Sequence, residues 1–296
     1  MDLSIIILNW NAADDTIQCV KNITAWQRLQ PKVWVVDNAS QDDSVRRIAE
    51  NCPTATILSN DENLGFAGGN NRALKEILHA GDTPILLLNN DAIVTETAIE
   101  TLLHTLRTHP QAGFAGPLLF DTAHPDRLLS AGGQNPVTHY RAHTPKRPDT
   151  DIPFAVDYVP GTVLLASAAV FRQVGLLDEQ YFFSMEVADL CHRAGKAGFQ
   201  SLIVPTATAR HSIHRSGTLR KSLYPYYVIR NRFLFLRRHY PHNAALFAFW
   251  VAYSIALAAK TALTGERATA RAVWLGLADG MRGRFGNRNA LFLRDV

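Results

Sequence analysis

Pro84-Ile-Leu-Leu-Leu-Asn-Asn-Asp-Ala-Ile-Val94 is the stretch whose reading decides the fold. Residues 85–88 form an apolar run with no alternation. That is the pattern of a strand buried on both faces of a parallel sheet. The run stops at three polar residues, Asn89, Asn90 and Asp91. Ligands of open α/β sheets bind outside the carboxyl ends of the strands. A carboxylate at such an end can hold a hard cation and, through it, a diphosphate. Asn and Asp are also ordinary turn residues, so this stretch alone admits both a ligand-binding end and a plain turn.

The residues upstream favour the first reading. A strand is predicted at 3–8, ending in Asn9-Trp-Asn11, and a helix at 14–26 carrying Ile17, Val20, Ile23 and Thr24 along one side. A second strand, 32–36, ends in Asp37-Asn-Ala-Ser40. The helix expected at 41–51 has Ser40 as its cap, with Asp42 and Asp43 in the first turn. A third strand, 55–59, leads into the loop Asn63-Leu-Gly-Phe-Ala-Gly-Gly-Asn-Asn71, which opens a helix at 72–80. Strands alternating with helices in this way make βαβ units and a parallel sheet. Right-handed crossovers bring Asn9, Asp37 and Asn89 to one edge of that sheet. Three such ends beside a Gly/Asn-rich loop favour a nucleotide site over plain turns.

Downstream, a helix is predicted at 95–109, stopped by Pro110, and a strand at 115–120. Residues 121–155 are rich in Pro, His, Gly and Thr and read as a long loop over the site. Strands at 158–166 and 201–204 flank a short helix at 167–174 and the segment Phe182-Phe-Ser-Met-Glu-Val-Ala-Asp189, a loop entering a helix. Residues 210–217 form a polar loop, and helices follow at 230–238, 244–259 and 268–284. The uncharged helix at 244–259 is shorter than the roughly 20 residues of a membrane span.

Charge divides the chain. Residues 1–209 hold 15 Lys and Arg against 23 Asp and Glu, a net of −8; residues 210–296 hold 15 against 3, a net of +12; the two sum to the overall +4. A basic, apolar C-terminal region with Trp250 and Tyr253 suits helices lying on an anionic membrane surface, and equally helices packed on the main domain. The acidic first part and the long apolar runs argue against a nucleic-acid partner. Three widely spaced cysteines, Cys19, Cys52 and Cys191, argue against a disulfide framework and a Cys-based zinc site and suit a reducing cytosol. The opening Met-Asp, with a short apolar run, reads as a first strand and not as a signal peptide.

The ordered set Asn9-Trp-Asn11, Val35-Val-Asp-Asn-Ala-Ser40, Asn63 to Asn71 and Leu88-Asn-Asn-Asp91 resembles the family 2 glycosyltransferases, most of all their rhamnosyltransferase-like branch. Phe182-Phe183, Asp189-Leu-Cys with Arg193, His211 with Ser216, and Tyr227-Val-Ile-Arg-Asn231 extend the resemblance to about residue 240. It implies an α/β fold of GT-A type: a Rossmann-like, mixed, mostly parallel sheet flanked by helices. Residues 1–222 would be the nucleotide-sugar-binding catalytic domain, and 223–296 a helical, basic and apolar appendage that associates with a membrane. Donor-binding residues by this resemblance are Asn9, Asn11, Asp37, Asn38, Asn63, Gly65, Asn71, Asn89 and Asn90, with Asp37 near the base or ribose. Gly161 and the 121–155 loop would border the acceptor. Asp91 stands where the family has its metal-binding acid, and His211 is the expected second ligand, with His214 chemically equivalent. The ion would be Mg²⁺ or Mn²⁺, since one or two carboxylates plus substrate phosphates suffice for Mg²⁺ and an imidazole suits Mn²⁺.

One departure concerns the proton. The family usually carries Glu-Asp-x-Asp after the Phe pair, with the Asp after Glu as general base, whereas this chain reads Glu186-Val187-Ala188-Asp189. Valine accepts no proton. Glu186 is the best-placed carboxylate, directly or after a one-residue shift of register, and Asp189 is the alternative, although acids are favoured in a first helical turn anyway. The resemblance implies an inverting, metal-dependent glycosyltransferase, with dTDP-rhamnose or another activated deoxysugar as donor. The acceptor would be a saccharide or lipid-linked saccharide of cell-surface polysaccharide synthesis, met on the cytoplasmic face of the cell membrane. The missing Asp at Val187 also admits a sugar-nucleotide-binding protein impaired in transfer. A nucleotidylyltransferase is disfavoured, because the first strand end carries no Gly-rich loop with Arg and Lys.

Overall fold

The computed structural model describes residues 2–139, 144–212 and 220–292. The first half contains β1 (Ser4–Asn9), α1 (Ala13–Thr24), β2 (Lys32–Asp37), α2 (Ser44–Asn51), β3 (Thr56–Ser59), α3 (Gly65–Ala80), β4 (Ile85–Asn89), β5 (Ala92–Val94), α4 (Glu96–Thr108) and β6 (Ala112–Asp121). Then come β7 (Leu128–Ser130), β8 (Phe154–Val156), β9 (Val163–Ala166), α5 (Ala168–Val174), α6 (Glu186–Lys196) and β10 (Gln200–His211). Three helices close the chain: α7 (Arg220–His239), α8 (Ala244–Leu263) and α9 (Arg267–Arg282).

The strands form one mixed sheet in the order β3-β2-β1-β4-β9-β6-β10-β5, with β7 beside β6 and β8 beside β10. β1 to β4 are parallel to one another, and β9 inserts antiparallel between β4 and β6. The unbroken apolar runs are explained by helices on both faces. Ile5, Ile7, Leu86 and Leu88 point into the layer formed with α1, α2 and α4. Ile6, Ile85 and Leu87 point into the opposite layer, shared with α3, α6 and α7. Successive strand side chains face opposite ways, so a strand covered on both sides must be apolar at every position.

Several elements depart from their sequence-based limits. Helix α3 begins at Gly65, within the Gly/Asn stretch expected to be a loop. Gly69 allows this, since a Cβ there would stand 2.4 Å from Leu8 Cδ1 of β1. Helix α2 starts at Ser44, and Ser40 does not cap it. The 121–155 segment contains β7 and runs into β8. β10 runs on to His211, taking in residues assigned to a polar loop, while His214 and Ser216 lie outside the described residues.

Helix α8 has 20 residues, longer than the 244–259 expectation because the apolar pattern continues past Lys260. By length and composition it could cross a membrane, and only 17% of its apolar window is buried. The last three helices share a core with the sheet. Ile229, Phe233, Phe235, Trp250 and Val273 belong to the same apolar cluster as Leu87, Leu164 and Tyr181. A boundary between 222 and 223 falls in the first turn of α7.

Candidate active site

The parallel register of β1, β2 and β4 sets their polar ends side by side. Asn9 pairs with Asp37 across β1 and β2, and Leu8 with Asn89 across β1 and β4. A hydrogen-bond chain ties these ends together. Asn9 Nδ2 donates to Asp37 Oδ1 at 2.7 Å and to Ser40 Oγ at 3.1 Å, while Thr16 Oγ1 donates to Asn9 Oδ1 at 2.7 Å. Asn90 Nδ2 completes the chain by donating to Thr16 Oγ1 at 3.0 Å. The Asp37 carboxylate also accepts from Ser40 N at 2.9 Å and Ser40 Oγ at 2.6 Å. Asn11, at φ 49, accepts from Gln41 N, and its own N–H donates to Ser40 Oγ. Ala39, at φ 61, completes the strained turn. Non-glycine residues at positive φ gather at sites whose surroundings over-determine them.

Sequence gives Thr16 no role and reads Ser40 only as a helix cap. Ser40 sits three residues after Asp37, the spacing of an Asp side chain folding back on its own turn. Thr16 is a fully buried hydroxyl on the apolar side of α1. Both signals are weak without the tertiary contacts.

Asn38 is buried and fully engaged. Its Oδ1 accepts from Asn60 Nδ2 and Leu64 N, and its Nδ2 donates to Asn63 Oδ1 and Gly65 O. It anchors the Asn63–Gly65 corner to the end of β2. Gly65, at φ +70, makes room for the Phe182 carbonyl, which would lie 2.2 Å from a Cβ there. Asn71 faces elsewhere. Its amide donates to Leu177 O and Glu179 Oε1 and accepts from Leu177 N, so it stitches α3 to the segment before α6. That commitment leaves Asn71 no free donor for a ligand.

The two expected metal ligands come together, although 120 positions separate Asp91 from His211. β5 follows Asp91 immediately and pairs antiparallel with the end of β10, setting Ala92 opposite His211. His211 Nε2 then lies 3.1 Å from Asp91 Oδ1, with both side chains about one-fifth exposed. Neighbouring ligands on an octahedral ion at 2.0–2.1 Å stand about 2.9 Å apart, so the pair fits a divalent cation that completes its shell with substrate. Among the described residues no group of three or more His, Cys, Asp and Glu side chains forms a complete cage.

Glu186 and Asp189 have opposite surroundings. Asp189 is saturated: Tyr181 OH and His239 Nε2 reach Oδ1 at 3.2 and 2.7 Å, and Arg193 Nε reaches Oδ2 at 2.8 Å. Although burial opposes it, bonding to His239 and Arg193 brings its carboxyl below the ordinary value. Glu186 opens α6 and is 6% exposed, and its Oε2 is buried without a hydrogen-bond partner. Burial pushes its carboxyl up to about 7, with Asp189 adding to the rise and its own backbone N–H opposing it. A carboxylate near neutrality and free to accept a proton has the properties of a general base. Asp189 is a structural hub.

Short links connect the strand ends to α6. Asn89 N donates to Thr162 O at 3.0 Å, and a Cβ on neighbouring Gly161 would stand 2.9 Å from Val187 Cγ2. Residues 160–162 therefore lie between the end of β4 and the first turn of α6.

The family model for Glycosyl transferase family 2 matches residues 4–156, just over half of the chain. This chain belongs to that family. Its relatives include the N-acetylglucosaminyl-diphospho-decaprenol L-rhamnosyltransferase of Mycobacterium tuberculosis, 30% identical over 212 residues, 62% of this chain and 68% of the relative. That likeness places it in the rhamnosyltransferase-like branch, and it is a glycosyltransferase. The mannosyltransferase PcManGT from Pyrobaculum calidifontis, solved with GDP-Man and Mn²⁺, shares the fold at TM-score 0.58 and 17% identity, over 95% of this chain and 86% of that one. GalNAc-T7, solved with UDP, GalNAc and Mn²⁺, does so at TM-score 0.59 and 14% identity, over 78% of this chain and 47% of that one. The fold is accordingly of GT-A type, with the C-terminal helices in place.

Proposed function

We propose that this glycosyltransferase is inverting and metal-dependent, and that it moves a deoxyhexose, rhamnose first among them, from a dTDP donor to a lipid-linked saccharide. The observation that carries the reading is the Asp91–His211 pair, 3.1 Å apart at the polar edge of the sheet. Asp91 and His211 would hold Mg²⁺ or Mn²⁺, which neutralises the charge developing on the departing diphosphate. Asn9, Asn11, Asp37 and Asn89–Asn90 line the donor side, with Asp37 toward the base or ribose. Asn38, Asn63 and Gly65 shape the corner beside them, and Asn71 is left to its structural bonds. Gly161 borders the acceptor.

Glu186 accepts the proton of the acceptor hydroxyl. The hydroxyl oxygen bonds to the sugar C1 as the bond from C1 to the diphosphate oxygen breaks, and the nucleotide diphosphate leaves. Attack from the side opposite the leaving group inverts C1. A rhamnosyltransferase relative named for a diphospho-decaprenol acceptor supports the lipid-linked substrate. The net +12 of residues 210–296 and the exposed apolar side chains Phe249, Ile255 and Leu263 of α8 support contact with an anionic membrane at the cytoplasmic face.

A thermal-shift panel of dTDP-rhamnose, UDP-sugars and GDP-sugars, each with Mg²⁺, Mn²⁺ or chelator, tests donor and metal without an acceptor, because ligand binding raises apparent stability by mass action. The expected result is a metal-dependent shift with dTDP-rhamnose that Asp91→Ala abolishes. A shift indifferent to chelator and to Asp91→Ala overturns the cation role. Release of dTDP on adding a lipid-diphosphate saccharide separates a transferase from a protein that only binds sugar nucleotide.

A further inference from the structure

We propose that Asn231, oriented by Arg230, is the positioning residue for Glu186: it holds the loop before α6 in a strained shape and so fixes where the base stands. The inference rests on Glu186 being the base.

The loop is unusual for its composition. Phe182, Ser184 and Met185 have φ of 61, 71 and 72°. None is glycine, and such residues persist only where their surroundings impose the conformation. Met185 is also the N-cap of α6, and its side chain makes no capping bond. The local sequence offers two acids for the first turn of α6, Glu186 and Asp189, but no capping side chain that fixes its start at Glu186.

That start is fixed from α7. Asn231 Nδ2 donates toward Tyr181 O at 3.0 Å, Phe183 O at 2.8 Å and Ser184 O at 2.7 Å. Gathering three carbonyls of one short loop onto a single amide bends the chain sharply. Arg230 settles which way that amide points. Its Nε and Nη2 donate to Asn231 Oδ1 at 2.9 and 2.8 Å, turning the NH₂ group toward the loop. The same guanidinium donates to Tyr181 O at 2.8 Å, to Gln180 O at 3.2 Å and to Gly286 O at 2.6 Å. Both residues are fully buried, and the guanidinium lies 4.6 Å from the Tyr227 ring centroid. A buried cation is tolerated when its donors are satisfied, and these are used on the loop and on the segment after α9.

The clamp also reaches the donor side. Phe182 O accepts from Phe66 N at 2.7 Å in the first turn of α3, the helix opened by the Asn63–Gly65 corner. Gly286 N donates to Gln180 O at 2.8 Å, and Asn287 Nδ2 to Asn63 O at 3.2 Å. One loop thus joins the donor corner, the start of α6 and the C-terminal helices. Loosening it would let Glu186 move and water reach it.

The test uses the full-length chain and Asn231→Asp, which keeps shape and the Arg230 contact but replaces the loop-facing donor with a carboxylate. Expected are a fall in kcat of about tenfold or more with donor KM changed less than about threefold, and an acidic limb of the pH–rate profile moved down from near 7 toward the ordinary carboxylate range. Amides of 182–189 should exchange faster with deuterium. Phe233→Leu, a core change in the same helix, controls for stability and should leave the limb in place. Arg230→Lys, which keeps the charge but loses the fork, is read in the same way if Asn231→Asp does not fold. An unmoved limb with unchanged exchange, or an equal movement in Phe233→Leu, overturns the proposal. Failure of the underlying reading looks different: Glu186→Gln would itself retain turnover.

Discussion

The polar edge of the sheet and the start of α6 each carry one carboxylate of the proposed site, and they are built by different means. Asp91 is placed by strand geometry. A parallel register and one antiparallel pairing bring it to His211, and any chain with these strands in this order would do the same. Glu186 is placed against local preference, by a loop with three left-handed residues held from a helix some 45 positions further along the chain. Groups that hold a leaving group can be partly exposed and use substrate to complete their bonding. A base with a raised proton affinity needs burial, and burial has to be imposed from several directions.

The most severe way to break this contrast is Glu186→Gln, expected to lower kcat by about 10²–10⁴-fold while dTDP-rhamnose still shifts the melting temperature. Near-normal turnover would transfer the proton role elsewhere. Next is Asp189→Ala, which takes the shared acceptor from Tyr181, His239 and the partly exposed Arg193 and is expected to cost roughly 3 kcal/mol in urea unfolding. A loss confined to activity, with stability intact, would contradict its reading as a hub.

Glu186→Gln has a second consequence, in stability. The folded carboxyl is raised to about 7 by burial, so its contribution to stability is full below the unfolded carboxylate range and is lost as pH rises through about 7. The glutamine variant should therefore be more stable than the parent at pH 8, by roughly 3 kcal/mol from a shift of that size, and equal to it near pH 4. Melting curves at the two pH values check the sign. The smallest expected effect is His211→Ala, about 10–100-fold in apparent Mn²⁺ affinity with Asp91 still present. An unchanged Mn²⁺ titration would remove His211 from the ligand set.

How much was legible varied with the kind of contact. Asn9, Asp37, Asn89 and Asp91 could be read because strand periodicity and right-handed crossovers leave little freedom in where strand ends go. The start of α3 could not, since Gly65 to Asn71 looks like loop chemistry and becomes helix only when packed on Leu8 and Phe182. Ser40 passed for a helix cap because capping and carboxylate binding use the same short hydroxyl. Asn71 passed for a ligand group because nothing local announces Leu177 and Glu179 as its partners.

The sequence by itself determined the layered α/β sheet, the polar strand ends and the family, because unbroken apolar runs and the residues that end them are local properties repeated in order. Only the tertiary structure separates Glu186 from Asp189. They lie three residues apart in one helical turn with the same functional group, and sequence prefers Glu186 only by its place in the motif. Their difference is in their surroundings: Tyr181, Arg193 and His239 saturate one, and the other is buried with an oxygen left unpartnered. Proton affinity follows from which groups surround a carboxylate in space, and that is settled by packing α7 against the loop before α6.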